Sequence, residues 1–132
     1  MATEEEWPSD WLRGVLGLAV LAALTRGRRH GYAIAQELAD AGLGTVKGGT
    51  LYPLLGRLEA AGHVEAHWQP GAGGPGRKVY ALTSAGAEFL AERADRWRAF
   101  TDVTRHVIEG RATTTAATST AARTAARTGD QA

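Results

Sequence analysis

Residues 48–64 read GGTLYPLLGRLEAAGHV, and what they offer chemically is a helix end built to meet an anion. Leu51, Leu54, Leu55 and Leu58 recur at i, i+3, i+4 and i+7, the apolar stripe of an α-helix. Proline lacks the amide N–H and its ring clashes with the carbonyl four residues back. Pro53 therefore predicts a helix that begins just before it, around Gly49 or Thr50, where first-turn amides have no partner anyway. At about 100° per residue, Leu54, Leu55, Leu58 and Ala61 join Leu51 on the core side. Gly49, Tyr52, Pro53, Gly56, Ala60 and, obliquely, Arg57 face outward. Glycine and alanine on that face let a bulky polyanion come close. Free amides from Gly48 to Thr50, with the positive end of the helix dipole, make a phosphate site. Tyr52 adds a hydroxyl and a ring suited to a sugar-phosphate backbone or a thymine methyl. The same residues have a plainer reading, in which the glycines permit a turn and Tyr52 packs on a neighbouring element.

A second group of charges tilts the balance toward the anion. Arg77 and Lys78 directly follow the glycine-rich PGAGGPG, at the tip of what reads as a hairpin, where they can reach an adjacent phosphate or minor groove. RGRRH at 26–30 adds charge at a turn, although such a run is commonly just a solvated face. Two other motifs fall away. GAGGPGRK has Arg77 where a phosphate-cradling loop needs lysine, and a strand rather than a helix follows. HVEAH has its glutamate misplaced for a zinc protease, and on a strand His63 and His67 lie ~13 Å apart, too far to share a metal. No nucleophile–base constellation appears elsewhere, so neither a metal, a cofactor nor an enzymatic activity is expected.

The elements that must position these residues follow from composition and periodicity. A chain of 132 residues with 44% apolar content is expected to form one domain with a tail. It has no cysteine, which excludes disulfides and thiolate metal sites and fits a reducing cytoplasm. The net charge of +1 hides an uneven distribution, with Glu4, Glu5 and Glu6 at one end and a mildly basic middle that includes Lys47 and Arg57. The run VLGLAVLAAL, Val15 to Leu24, is far short of the ~20 residues that span a bilayer. It lacks the flanks of a signal peptide and reads as a buried helix, so no membrane partner is expected.

Residues 1–8 are expected to be a flexible lead, after which Ser9 or Asp10 caps a helix running to about Thr25. RGRRHG is a polar turn. YAIAQELADAG is a second helix, buried through Ile34 and Leu38 and stopped by Gly42 and Gly44. The third helix ends at Gly62. HVEAHWQ and RKVYALT alternate as strands around the PGAGGPG loop. Thr83 or Ser84 caps a long fourth helix with Phe89, Leu90, Trp97, Phe100, Val103, Val107 and Ile108 on its apolar side. Residues 111–132, Thr/Ala/Arg-rich without large apolar side chains, are expected to be disordered. The order gives an α+β, mostly helical chain. It reads as a winged helix-turn-helix domain for DNA binding over 9–82, and residues 83–110 as an additional long C-terminal helix for dimerisation. In such a domain the third helix enters the major groove.

HGYAIAQEL, GGTLYPLLGRLEAAGHV and GRKVYALTSAG, in this order and spacing, resemble the PadR family of bacterial transcriptional regulators over about Trp11 to Ile108. DRWRAF on the fourth helix resembles the compact branch, which has a single C-terminal helix. The resemblance implies a homodimeric repressor, often acting on its own or a neighbouring gene and released by a small molecule. It places Tyr32, Gly49, Thr50, Tyr52 and Pro53 on the DNA-facing helix-turn-helix and Arg77 and Lys78 on the wing; charge adds Lys47 and Arg57. The chain departs from the pattern in having Lys47-Gly48 where a Ser-Pro capping pair is common, in a glycine-rich wing tip, and in Val79 before Tyr80.

A dimer is expected on physical grounds as well. A fourth helix of ~39 Å outruns the core of so small a domain, and the first helix is apolar on more faces than one domain covers. A seam of Leu12, Val15 and Leu16 with Phe89, Leu90, Trp97, Phe100, Val103 and Val107 would set two third helices ~34 Å apart, the spacing of a palindrome on double-stranded DNA. Trp97, between Arg96 and Arg98, is a candidate for holding a planar aromatic effector, with Trp11 closing the pocket. The alternative function is a winged-helix protein–protein adaptor that binds no DNA; basic charge on both third helix and wing argues against it.

Overall fold

Pro8 starts the first helix, α1 (Ser9–Ala23), through its carbonyl rather than a side chain. In the computed structural model, which describes residues 7–71 and 73–110, that carbonyl accepts the amides of Trp11 at 3.0 Å and Leu12 at 3.2 Å. Ser9 and Asp10 are thus inside the first turn and neither is the cap expected of them, since proline's fixed φ already sets the chain for a helix. Trp7, in the stretch read as a flexible lead, donates its indole N–H to the Gly42 carbonyl at 2.8 Å. The rest of that lead, residues 1–6, and the expected disorder of 111–132 lie outside the described residues.

The RGRRHG turn is a correction. Arg29–His30 form a short strand, β1, which pairs antiparallel with a later strand through Arg29↔Tyr80 and His30↔Val79. Arg29 is tied down, its Nε donating to the Ala23 carbonyl at 3.0 Å and its guanidinium 3.1 Å from Glu37. That charge holds the chain together rather than facing solvent. Next comes α2 (Gly31–Leu38), burying Ile34 and Leu38, and a π-helical turn, Ala39–Leu43. Gly42 and Gly44 take positive φ and end it, as their positions predict.

Helix α3 (Gly48–Ala60) begins one residue earlier than expected, with Lys47 at its N-cap. Thr50 and Leu51 both donate their amides to the Lys47 carbonyl at 2.9 Å. Pro53 therefore lies inside the helix, not in its first turn, and leaves the Gly49 carbonyl without its i+4 donor. Gly49 is exposed, which leaves that acceptor open to solvent. The helix closes on a Schellman arrangement: His63 N–H to Leu58 O at 2.9 Å, Gly62 N–H to Glu59 O at 3.0 Å, and Gly62 at φ 85°.

That turn launches β2 (Val64–Gly71), which pairs with β3 (Gly74–Leu82) in a three-stranded antiparallel sheet ordered β1-β3-β2. PGAGGPG was expected to be a loop, but pairing continues through it to Gly71↔Gly74, with an irregularity between Gln69 and Gly71. The glycines make the close approach possible: a Cβ on Gly76 would lie 2.8 Å from the Gln69 carbonyl. The core joins Leu16, Val20, Leu21 and Leu24 to Ile34, Leu38, Val46, Leu51, Leu55, Leu58, Val64 and Tyr80.

Thr83 caps α4 (Ser84–Glu109), accepting the Gly86 amide at 2.9 Å while donating its hydroxyl to the Gly62 carbonyl at 2.7 Å. One side chain thus fixes the end of α3 to the start of α4. Phe89 stacks on His63 with ring centroids 4.1 Å apart, and the Arg93 guanidinium covers Phe89 at 4.5 Å. The chain divides into two units after Ala94. In the second, Trp97 and Phe100 rings lie 5.7 Å apart, and Asp95–Arg98 and Asp102–Arg105 pair one turn apart. Val103, Val107 and Ile108 are more than half exposed. No helix among the described residues is long and apolar enough to cross a membrane.

Candidate nucleic-acid interface

Lys47, Gly48, Gly49 and Thr50 are all exposed at the start of α3, as a phosphate-facing helix end requires. The free amides there are fewer than expected. Thr50 already donates to Lys47 O, so the open ones belong to Gly48 and Gly49. Pro53 and Arg57 are exposed farther along the helix.

Tyr52 combines the two roles that its sequence position left open. It is half-exposed, yet its ring covers Gly31 at the start of α2, where a Cβ would come within 2.7 Å of the ring carbons. Gly48 lies under the same ring, its Cβ position 3.5 Å away. Only a glycine at 31 admits this brace between α2 and α3. The brace fixes the phenol against both helix starts and leaves one side of it open. Tyr32, one residue into α2, is 72% exposed and packs on nothing that would hide it.

The wing charges separate. Successive strand residues point to opposite faces, so Arg77 and Lys78 cannot serve the same phosphate. Lys78 leans toward α3, with Nζ 4.0 Å from the Glu59 carboxylate and 5.9 Å from the centre of the Tyr80 ring. Arg77 is on the other face, 3.1 Å from His30 Nε2. A guanidinium can only donate, so in this contact His30 Nε2 is the acceptor. Both cations lie within β3, as the strand read over RKVYALT expects, and the pairing runs beyond them to Gly71 and Gly74. Burial, then the charges of Glu59 and Tyr52, push the Tyr80 phenol above its ordinary pKa of 10.0, so it stays neutral beneath Lys78.

Trp68 is a residue that the sequence reading missed. Its alternation with Val64 and Ala66 suggested the buried face, and it does share that face; however, the hairpin outruns the core there and Trp68 is 71% exposed. It stands directly across from Lys78. An exposed indole beside a cation is unusual on a surface with no partner. The signal was available: beyond Trp68 on β2 come Gln69, Pro70 and Gly71, and beyond Lys78 on β3 come Arg77, Gly76, Pro75 and Gly74, none of them a large apolar side chain that could cover it.

The residues read as a dimer seam are divided. Leu16 is buried in its own chain's core, against which Leu12, Phe89 and Leu90 also pack, and Val15 is half-buried. Phe100, Val103 and Val107 are exposed. Of the aromatic pair suggested for an effector, Trp97 is 37% exposed beside Phe100, and Trp11 is 62% exposed with its ring 6.5 Å from Trp7. Arg98 is turned to Asp95 at 3.3 Å. Among the described residues no three His, Asp or Glu side chains converge as a metal site.

Comparison with known proteins gives this geometry its context. The sequence model of the transcriptional regulator PadR-like family matches residues 20–92. Transcriptional regulator Rv3488 of Mycobacterium tuberculosis is 37% identical over 105 residues, covering 80% of this chain and 94% of that protein. A PadR family transcriptional regulator from Eggerthella lenta superposes with a TM-score of 0.70 at 35% identity, covering 76% of this chain and 88% of its own. A PadR-like transcriptional regulator from Bacillus cereus gives 0.65 at 28% identity, covering 75% and 96%. With four helices and a three-stranded antiparallel sheet in a winged-helix fold, and with the family match over more than half of its length, the chain belongs to the PadR-like family of DNA-binding transcriptional regulators.

Proposed function

We propose that the protein is a repressor that binds a palindromic operator on double-stranded DNA as a homodimer and is released by a small molecule. Residues 9–82 read the DNA and residues 83–110 dimerise. The start of α3 enters the major groove, with Lys47 and the Gly48 and Gly49 amides on phosphate and Thr50, Tyr52 and Tyr32 near base edges and sugars. The hairpin brings Arg77, or Lys78 with Trp68, to the flanking backbone. The observation that carries the reading is the exposed, glycine-lined start of α3 braced by Tyr52.

The exposed stripe of Phe100, Val103, Val107 and Ile108 on α4 supports the dimer, because contiguous apolar surface of this kind marks an association site. Leu12 and Val15 on α1 complete the seam. Trp97, partly exposed on the same helix beside Phe100, is the place for a planar aromatic effector. Footprinting on the DNA upstream of the protein's own gene tests the reading: a two-fold symmetric protected region is expected, and its absence at protein concentrations that coat DNA non-specifically contradicts it.

A further inference from the structure

The hairpin carries a large aromatic side chain that the core does not cover. Val64, Ala66 and Trp68 of β2 lie opposite Leu82, Tyr80 and Lys78 of β3, so the six share one face of the sheet. Val64 and Tyr80 are buried there with Leu51, Leu55 and Leu58, which makes it the face turned toward α3. Ala66 still packs against that core, whereas Trp68, the next residue on the face, is 71% exposed. Its indole nonetheless has a seat. A Cβ built on Gly76 would lie 3.6 Å from Trp68 Cε3, so the six-membered ring rests over that glycine. The Gln69 carbonyl, 2.8 Å from the same position, bars a side chain that would displace the ring. An exposed aromatic held in place before any partner arrives is pre-organised for contact.

The surroundings say which contact. Lys78 stands directly across from Trp68, and such neighbours have Cβ atoms about 4.5–5.5 Å apart. From Ala66 to Leu82 the hairpin contains Arg77 and Lys78 and no Asp or Glu. The carboxylate that faces Lys78, Glu59 at 4.0 Å, comes from α3. A ligand suited to this face offers an apolar surface and an anion side by side. A free anion would leave the indole wet, and an apolar protein surface would leave the cations unanswered. The backbone of a DNA duplex has both features, deoxyribose C–H groups alternating with phosphates. We infer that Trp68 is itself a DNA-contacting residue, its indole packed on deoxyribose beside a phosphate within reach of Lys78. The surface is continuous with α3, and the inference rests on the reading of α3 and the hairpin as the DNA-binding surface. What it adds is a contact of another kind. Cations gain affinity by releasing counterions and lose it as salt rises, whereas an indole on a sugar releases none.

The test uses full-length protein labelled with fluorotryptophan and the DNA upstream of its own gene. Trp68→Phe identifies the Trp68 fluorine resonance by its loss. In the wild type that resonance is expected to shift on adding DNA and to lose its sensitivity to exchange of water for heavy water. Trp68→Ala should weaken DNA binding roughly tenfold, while the slope of log affinity against log salt stays at the wild-type value because no cation is removed. Trp68→Phe, which keeps a flat apolar ring, should recover most of the loss. A Trp68 resonance that DNA leaves unmoved, in a protein that does bind DNA, overturns the inference and leaves the α3 reading standing; this measurement decides even if Trp68→Ala fails to fold. Wild-type affinity in a folded Trp68→Ala overturns it equally. A loss of affinity accompanied by a lower salt slope means that the indole only holds the hairpin cations in place, and this too overturns a direct contact. If the wild type binds no duplex at all, the function proposed above fails and the inference with it.

Discussion

Arg77 and Lys78 show how much one residue of strand register matters, since they sit on opposite faces of β3 with different neighbours. Arg77 meets an imidazole nitrogen and no carboxylate, whereas Lys78 already faces Glu59. Arg77→Ala is expected to weaken DNA binding on all sequences and lower the salt slope by about one. Lys78→Ala should do less, which fluorescence anisotropy across a salt series can distinguish. The sequence presented the two as one basic pair although both fell in the strand read over RKVYALT, because the neighbours that set them apart, His30 of β1 and Glu59 of α3, come from tertiary packing. Tyr52 was legible as an outward residue; its brace on Gly31 was not, since contact between two helix starts leaves no periodic signal. Gly31→Ala should displace the ring and destabilise the fold by about 1–3 kcal/mol in urea titration. Tyr80 supplies a pH test. Its folded pKa is raised above the unfolded value of 10.0, so the folded state holds the proton longer and stability falls as pH rises through that range. Tyr80→Phe should flatten the decline above about pH 10; an unaltered decline would assign it to other groups.

Between elements, the joints decide the arrangement. Thr83 holds the α4 amide of Gly86 and the α3-terminal carbonyl of Gly62 with one hydroxyl. Thr83→Ala removes a cap worth about 0.5–2 kcal/mol, so its urea midpoint should fall accordingly, while Thr83→Ser should recover most of it. The four helices were legible because each carries an apolar stripe or a capping residue near its true end. Strand β1 was not: two residues have no period, and three nearby arginines resemble a solvated turn. The wing was mistaken in extent for a related reason. Glycine reads as loop, yet Gly71 and Gly76 sit where facing carbonyls leave no room for a Cβ. Pro53 misplaced the start of α3 by one residue, because an exposed Gly49 carbonyl can forgo its intrahelical partner to water.

For the molecule as a whole, the exposed α4 stripe makes the assembly testable. Val103→Asp with Val107→Asp should place charge in a buried seam, at a cost on the order of several kcal/mol, and sedimentation should then show monomer. A dimer of wild-type stability would move the seam elsewhere. The account's central claim is that the start of α3 and the hairpin bind DNA. Titrating the full-length protein onto the DNA upstream of its own gene, with a scrambled duplex of equal length as control and salt varied, tests this most directly. Tighter binding to the upstream DNA, with affinity falling log-linearly in salt and discrimination reduced in Tyr52→Ala, is the predicted result. Equal affinity for both duplexes, or a Tyr52→Ala variant that is folded and discriminates as the wild type does, would contradict it.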